Sequence, residues 1–577
     1  MSEPPPAGRC RRNPPIDLAG KIKFGEKLLK WFKKGHILGP FHPDDHILAE
    51  HGARVNPVFQ RFHNDGSSRP LVNCSKELDD GGLSLNDIIR EGPRASVEYI
   101  KVRELIATML AVGPECWIWV KDLDEGYYNC RVRPEQCWLL AFQFAGLVFV
   151  PMVLSMGLSS APLIFTIFMS YVVKALLQDE PALNFIEVPI DSVDLKNFGP
   201  DSGIEIIADR NVVRIPLIKA YVDDIFGFAT KATIHAQYHA VQRMLRHLGL
   251  NAQPSKDRRP APTNIMLGVE YDVVNRCCRT PRKKALEYVA FANKLLERRR
   301  VGMKELFSLC GKCRHIAAHC KVLSAFARGV EARCFAPFRG RPINWSHTLP
   351  LRRRLRSDIE LMRDAMIHSV GHNVPWRHIL GRADDTEFNA FTDAAGVHGG
   401  IGGYLHQPKC RWFQIRWTAV SLHDHCDIMW MEMAAIYVLL KCNVEQLRGR
   451  HVGFYCDNEP VVWMLIKGRS SLKRPDLQLL IREISRICHW NGIEPWWEHI
   501  AGDDNVTADR LSRFLGDPFG VTNCQPIKNT NLTALVALKL ALQQSAQFAG
   551  HIDHKYLVGH SSGPNCSPST AGRSTAL

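Results

Sequence analysis

The spacing of apolar and polar positions changes several times along the chain, and each change marks a different kind of element. From Leu18 to Phe41 the apolar residues recur at helical spacing, with Gly39-Pro40 as the stop. Val55 to Phe62 and Arg69 to Asn73 read as strands on either side of the polar turn Asn64-Asp65-Gly66. Ile118-Trp119-Val120-Lys121-Asp122 is an apolar strand that delivers Asp122 to its end, ahead of a turn of small and acidic residues that includes Asp124 and Glu125. Met156 to Pro162 is a loop of small residues, the type that lets a ligand approach the backbone, and it feeds the apolar helix Leu163 to Leu177. Residues 178–214 read as an irregular, partly acidic insertion. Lys219 to Gly227 then reads as strand, acidic turn, strand, with Asp223 and Asp224 at the tip. An amphipathic helix from Ile234 to Leu248 ends at Gly249, Lys256 follows Pro254-Ser255, and Met266 to Tyr271 resumes a strand.

From Thr280 to about Arg356 the pattern is helical and basic, with runs at Arg282-Lys283-Lys284, Arg298-Arg299-Arg300 and Arg352-Arg353-Arg354. Around Gly381 the period returns to two. Glu387 to Asp393 is a strand ending in an Asp, and Gly399 to Leu405 and Arg411 to Trp417 are the next two strands. An apolar helix opens at Met431-Glu432-Met433, Val452 to Asp457 is a strand ending in another Asp, and Glu494 to Ile500 is the fifth. A Leu/Ala-rich helix from Leu532 to Phe548 and a Ser/Gly/Pro tail follow.

Composition adds one strong constraint. The 577 residues carry 73 Lys+Arg against 58 Asp+Glu, a formal +15, which suits a polyanionic partner. The hydrophobic fraction of 46% is ordinary for globular protein, and the 18 Cys form no regular framework. Neither a signal-peptide pattern nor a long uncharged apolar run is visible, so the expected location is cytoplasmic or nuclear, not secreted, with reduced thiols and no membrane. The Pro-rich basic start reads as disordered.

The chemistry lies in the carboxylates. Two adjacent Asp side chains at a hairpin tip repel each other, and hard cations with oxygen ligands relieve that. By itself an Asp-Asp turn is an ordinary solvated turn. In the last third, two strand-end acids, a helix-borne Glu and the late Asp509 form the set that a two-metal phosphodiester hydrolase needs. Cys310, Cys313, His315 and His319 have zinc-like spacing. The apolar residues from Leu309 to Phe326 instead suggest one continuous helix, on which the Cys pair and the His pair would occupy different faces.

Asp122 with an aromatic five residues on, the Met156-Gly157-Leu158-Ser159-Ser160-Ala161-Pro162 loop, Tyr221-Val222-Asp223-Asp224, Lys256 and Leu267-Gly268 come in the order of reverse transcriptase palm motifs. The chain resembles that family. Asp393, Glu432, Asp457 and Asp509 resemble the four acids of ribonuclease H, with His499 and Asn505 at the spacings of the retroviral-type domain. The wording Asp504-Asn505-Val506-Thr507-Ala508-Asp509-Arg510-Leu511 is most similar to DIRS-type, tyrosine-recombinase-bearing retrotransposons. Ser155 stands where the family usually has Pro, and the insertion before Tyr221 is longer than the family's. No protease, integrase or recombinase pattern is visible in the remaining length.

The resemblance implies an α+β chain: right-hand polymerase with fingers, palm and thumb, then an α/β ribonuclease H-like domain with a five-stranded mixed sheet. The implied boundaries are a disordered start (1–17), fingers and palm (18–279), basic thumb and connection (280–380), ribonuclease H-like domain (381–516) and a C-terminal helix and tail (517–577). It implies two Mg²⁺ per site, with Mn²⁺ as the alternative, on Asp122, Asp223 and Asp224 and on Asp393, Glu432, Asp457 and Asp509. It further implies that Arg69 holds the triphosphate and Lys256 protonates pyrophosphate. Tyr127 excludes a ribose 2′-hydroxyl, and Tyr221 and the Gly157 loop contact substrate. His499 assists hydrolysis and Asn505 touches the hybrid. The implied partners are an RNA template, a DNA primer, RNA–DNA hybrid and deoxynucleoside triphosphates, in retrotransposon replication. Three rivals differ in class: an RNA-templated RNA polymerase, an inactive or domesticated nucleic-acid-binding protein, and a zinc-dependent binding module.

Overall fold

The computed structural model describes residues 16–515 apart from 63–67, 80, 92–98, 336–337, 339–342, 382–385, 397, 407–410, 421–425 and 472–473, together with 8–9, 525–526 and 539. Most of the expected disordered start, the Asn64-Asp65-Gly66 turn and nearly all of the Leu532–Phe548 helix lie outside the described residues. The chain is α+β and divides into two compact units, Met1–Cys278 and Arg279–Leu577.

The first unit opens with helix α1 (Leu18–Lys33), capped by the Asp17 side chain. The sequence predicts that this helix runs to Gly39-Pro40. It ends six residues earlier, because Gly35 takes φ +64° and His36 N–H turns back onto Trp31 O at 2.9 Å. The chain leaves instead as a strand, Ile37–Phe41, paired with Leu147–Pro151. Phe24, Leu28 and Trp31 of α1 pack into a core with Phe142, Phe144 and Val58. The hairpin of Val58–Phe62 and Ser68–Val72 forms as expected, with Arg61 opposite Arg69.

Helix α2 (Val102–Val112) leads into strand β1 (Cys116–Asp122), and helix α3 (Ala161–Asp179) follows the small-residue loop. By length and composition α3 could cross a membrane, with a mean hydropathy of 1.6. One face of it, Phe165, Met169, Val172 and Leu176, is buried in the unit's core. Strands β2 (Ile218–Tyr221) and β3 (Asp224–Thr230), helix α4 (Ile234–His247) and strand β4 (Arg258–Ala261) complete this part. The sheet order is β2-β3-β1-β4, all antiparallel.

The 178–214 segment is not irregular. Phe185–Pro189, Glu205–Ile207 and Val212–Pro216 make a three-stranded antiparallel sheet. Arg214 pairs across strands with Glu205 at 3.4 Å, and Arg210, on the 3₁₀ turn between two of the strands, pairs with Glu187 at 2.5 Å. Charges that pair across strands hide the alternation when the sequence is read one strand at a time.

The second unit begins with four helices: α5 (Arg282–Leu296), α6 (Met303–Ala317), α7 (Ser324–Phe335) and α8 (Arg353–His368). The continuous helix expected through Phe326 is broken at residues 318–323, where Cys320 leaves helical backbone and a 3₁₀ turn intervenes. The break lets α7 fold back along α6. A sheet follows, with strands β5 (Phe388–Ala394), β6 (Gly400–His406) and β7 (Arg411–Arg416), helix α9 (Ile428–Leu447), strand β8 (His451–Cys456), helices α10 (Glu459–Lys467) and α11 (Pro475–Trp490), strand β9 (Glu494–His499) and helix α12 (Val506–Ser512). The order is β9-β8-β5-β6-β7, mixed, with β8 parallel to both its neighbours. Gln525–Pro526 adds a sixth, two-residue strand beside β7, beyond the five that the sequence predicts. Helix α9 is buried almost all round, which its near-continuous apolar sequence requires.

Candidate metal and nucleic-acid sites

The first cluster is built by strand register. In the antiparallel pairing of β1 with β3, Asp122 lies opposite Asp224, which sets the two Cα atoms about 5 Å apart. Tyr221 is opposite Asp224 across a two-residue turn, Val222-Asp223. Val222 sits there at φ +55°, a strained conformation for a β-branched residue. Leu123 N–H donates to Asp223 O at 2.9 Å and ties the tip to the end of β1. Burial, then the charges of Asp223 and Asp122, push the Asp224 carboxyl up to about 6.

The other residues singled out in the first unit fall around this point. Lys256 Nζ lies 2.9 and 3.1 Å from the two Asp122 oxygens, so it neutralises the carboxylate that the sequence assigns to a metal. Tyr127 is on the 3₁₀ turn Gly126–Asn129, its ring 5.0 Å from Phe165, with burial and then Asp223 raising its pKa. A Cβ on Gly126 would lie 3.1 Å from Asp223 Cβ, so this turn closes on the hairpin tip. The Tyr221 ring rests on Tyr99 at 5.0 Å. Gly157 has φ +115°, and a Cβ there would lie 1.9 Å from Val72 O. The close approach that its sequence context suggests is therefore made by the chain itself. Asn86 holds the same loop, donating to Gly157 O at 2.9 Å and accepting from Ser159 N at 2.7 Å. Arg69 is in its expected strand, but its side chain lies outside the described residues.

The second cluster collects acids from β5, α9, β8 and α12. Asp393 and Glu432 are buried, and Asp457 is half-buried. Donor atoms of Glu432, Cys456 and Asp457 all lie within 4.8 Å of one another. Asp393 is pushed up to about 6 by burial, offset by the Ser512 hydroxyl, with Asp457 and Asp509 adding to the rise. Burial, then Asp393 and Asp457, raise Glu432 well above the carboxylate range. Asp457 is also raised, first by burial. His499, opposite Cys456 across β8 and β9, places Nε2 3.1 Å from Asp457 O. Asn505 is buried and donates to Thr392 O at 3.0 Å, which anchors α12 to β5.

No family model and no curated protein matches the chain. Solved structures do. The chain is similar to the foamy viral protease-reverse transcriptase dRH in complex with double-stranded DNA, at 14% identity and a TM-score of 0.45, over 86% of this chain and 74% of that one. It is similar to the foamy viral protease-reverse transcriptase with double-stranded DNA over 87% and 88%, at 14% identity and 0.42. With an RNA/DNA hybrid bound, the same foamy viral protein matches over 91% and 59%, at 14% identity and 0.42.

Several residues at the two clusters are not singled out by sequence. Lys121, next to Asp122, is fully buried, with Nζ 3.3 Å from Asp257 and 3.6 Å above the Tyr238 ring. A Lys inside an apolar strand is the signal for it. Lys219 of β2 is buried on Glu104 of α2 at 2.9 Å and on Ser202 O at 3.2 Å. Glu125, which the sequence does offer as a competing carboxylate beside Asp122, does not join it. It takes ammonium groups from Lys27, Lys30 and Lys34 at 3.1, 2.9 and 2.6 Å, which outweigh burial and bring it down to about 2. Ser512 donates to Asp393, and Arg513 Nε to Asp509 at 2.5 Å, one helical turn beyond Asp509.

The zinc-like residues disperse. Cys310 donates to Ala327 O and Cys313 to Leu323 O, both at 3.5 Å, while His315 reaches Lys284 and His319 reaches Thr280.

Proposed function

We propose that this chain copies RNA and DNA templates into DNA and hydrolyses the RNA strand of RNA–DNA hybrids, as part of retrotransposon replication of the DIRS type. The observation that carries the reading is the register that sets Asp122 beside Asp224, with Asp223 at the adjoining tip. Three carboxylates converge there on rigid backbone, and burial, with their mutual repulsion added, raises Asp224. A donor set of hard oxygens suits Mg²⁺ or Mn²⁺. Bound metal would supply electrostatic stabilisation of attacking and leaving oxygens.

The chain's own residues then have distinct tasks. Asp122, Asp223 and Asp224 would hold the metals, and Lys256, which neutralises Asp122 in the unliganded fold, is the candidate to protonate the leaving pyrophosphate. Arg69 carries the triphosphate by charge-assisted hydrogen bonds. Tyr127, held on Phe165 beside Asp223, occupies the space of a ribose 2′-hydroxyl. Tyr221 and the Gly157 loop border the primer end.

In the second unit, Asp393, Glu432, Asp457 and Asp509 are the acids that would hold metal for hydrolysis. Ser512 and Arg513 orient two of them. His499, whose Nε2 lies 3.1 Å from the Asp457 carbonyl, is the group assigned to help hydrolysis. Asn505 positions α12 through Thr392, and through it Asp509.

Primer extension on poly(rA)/oligo(dT) with Mg²⁺ tests the polymerase reading. Incorporation of dTTP by wild type, lost in Asp223→Asn with Asp224→Asn, is the expected result. No incorporation by wild type, with tight and salt-sensitive binding of the same duplex, would move the reading to a nucleic-acid-binding protein.

A further inference from the structure

In the first unit, helix α1 grips the turn that carries Tyr127, and it does so through Glu125. The Glu125 side chain is only 9% exposed, beneath Lys27, Lys30 and Lys34 at 3.1, 2.9 and 2.6 Å. The lysines are three and four residues apart, so they share one face at the end of α1. The C-terminal end of a helix is unfavourable for a carboxylate, so it is the lysines that keep the acid there.

The backbone at Glu125 is constrained as well. Glu125 takes φ +53°, in the left-handed region that residues other than glycine rarely enter, and the 3₁₀ turn Gly126–Asn129 starts from it. Tyr128 N–H donates back to Glu125 O at 2.7 Å. Two further ties join the same pieces. Trp31 of α1 packs edge-on against Tyr128 at 5.1 Å, and Arg131 donates to Gly35 O at 2.8 Å. On its other side the turn has no slack. A Cβ on Gly126 would lie 3.0 Å from the Phe165 ring and 3.1 Å from Asp223 Cβ. The turn is therefore held between α1 on one side and α3 with the hairpin tip on the other. An ordinary surface ion pair needs one ammonium and no residue at positive φ.

We propose that Glu125, clamped by Lys27, Lys30 and Lys34, is a positioning residue that sets how closely the Tyr127 ring approaches the sugar of an incoming nucleotide. The inference rests on reading the first cluster as a DNA-polymerising site with Tyr127 at the sugar. Glu125 touches neither nucleotide nor metal and acts through the turn. With the clamp closed, the ring stays where a 2′-hydroxyl would go. With the clamp open, the turn is free to move and a ribose is admitted.

The test uses the full chain. Poly(rC)/oligo(dG) is extended in Mg²⁺ with dGTP and with GTP, and the ratio of the two kcat/KM values is compared among wild type, Glu125→Gln, Tyr127→Ala and the double variant. Taking a ratio cancels differences in the amount of folded protein. The three ammonium groups are a third to a half exposed, so water takes them when the carboxylate charge is removed. Glu125→Gln is expected to lower the ratio about tenfold, by admitting GTP. In the Tyr127→Ala background it should lower the ratio no further, because the two residues act as one unit. An unchanged ratio in Glu125→Gln overturns the proposal, and so does a further fall of the same size in the Tyr127→Ala background. If wild type extends no primer at all, the polymerase reading fails by itself. Hydrogen exchange of residues 124–130 in the unliganded protein then decides whether the clamp holds the turn. Exchange about tenfold faster in Glu125→Gln is expected, and an unchanged rate overturns the clamp.

Discussion

Gly157 carries the loop before α3 against the strand that ends at Val72. Its φ of +115° and the Val72 carbonyl 1.9 Å from a Cβ position make it a structural necessity before any nucleic acid arrives. Gly157→Ala is predicted to lower stability by about 3 kcal/mol, from backbone strain and overpacking together. Thermal unfolding of the unliganded protein checks this. An unchanged midpoint would return Gly157 to the role of a ligand-approach residue. A second prediction concerns pH. Asp224 and Asp393 each stand at about 6 in the fold against an ordinary 3.8. The folded state therefore binds more protons than the unfolded state between those values, and stability without metal falls as pH rises from about 4 to 6. Divalent metal should reverse this, stabilising strongly at pH 7 and weakly at pH 5. Thermal midpoints of wild type against Asp393→Asn, with and without Mg²⁺, isolate one acid's share. The acids themselves are legible in sequence because each stands at a strand end or in a helix's first turns. Cys456, Ser512 and Lys121 are not, because their relevance lies in which side chain they touch across the fold.

At the scale of elements, the first cluster depends on β1 and β4 staying together beneath it. Lys121 and Asp257 link them, and Lys256 reaches Asp122 from the residue before Asp257. Asp257→Ala leaves a buried ammonium without its partner, at a cost of about 3 kcal/mol. The expected outcome is a lower unfolding midpoint and reduced DNA synthesis, with cleavage of hybrid in the second unit preserved. Equal loss of both activities would contradict it. The strand–turn–strand reading of Lys219 to Gly227 holds because apolar residues flank the tip on both sides. The 178–214 sheet is hidden because its charges find partners elsewhere in the segment, Arg214 with Glu205 on the next strand and Arg210 of the connecting turn with Glu187. Helix ends escape the apolar pattern for a related reason. Gly35 and Cys320 stop helices by backbone conformation, while the apolar spacing continues past them.

For the whole molecule, the two clusters lie in different units and are built from different elements, so the two proposed activities should separate cleanly. Asp457→Asn is predicted to abolish hydrolysis and leave DNA synthesis within about twofold of wild type. Asp223→Asn with Asp224→Asn should do the opposite on a preformed hybrid. The formal +15 charge suits a polyanionic partner, and both proposed activities should be steeply salt-dependent. The most direct measurement is a single reaction on a heteropolymeric RNA template labelled at its 5′ end, with a DNA primer carrying a second label, in Mg²⁺. The account predicts that wild type lengthens the primer and shortens the RNA behind it, that Asp457→Asn lengthens the primer over intact RNA, and that the Asp223/Asp224 double variant leaves the primer at its starting length and cuts the RNA only where the primer is already paired to it. Primer extension by the double variant, or RNA shortening by Asp457→Asn, would contradict it.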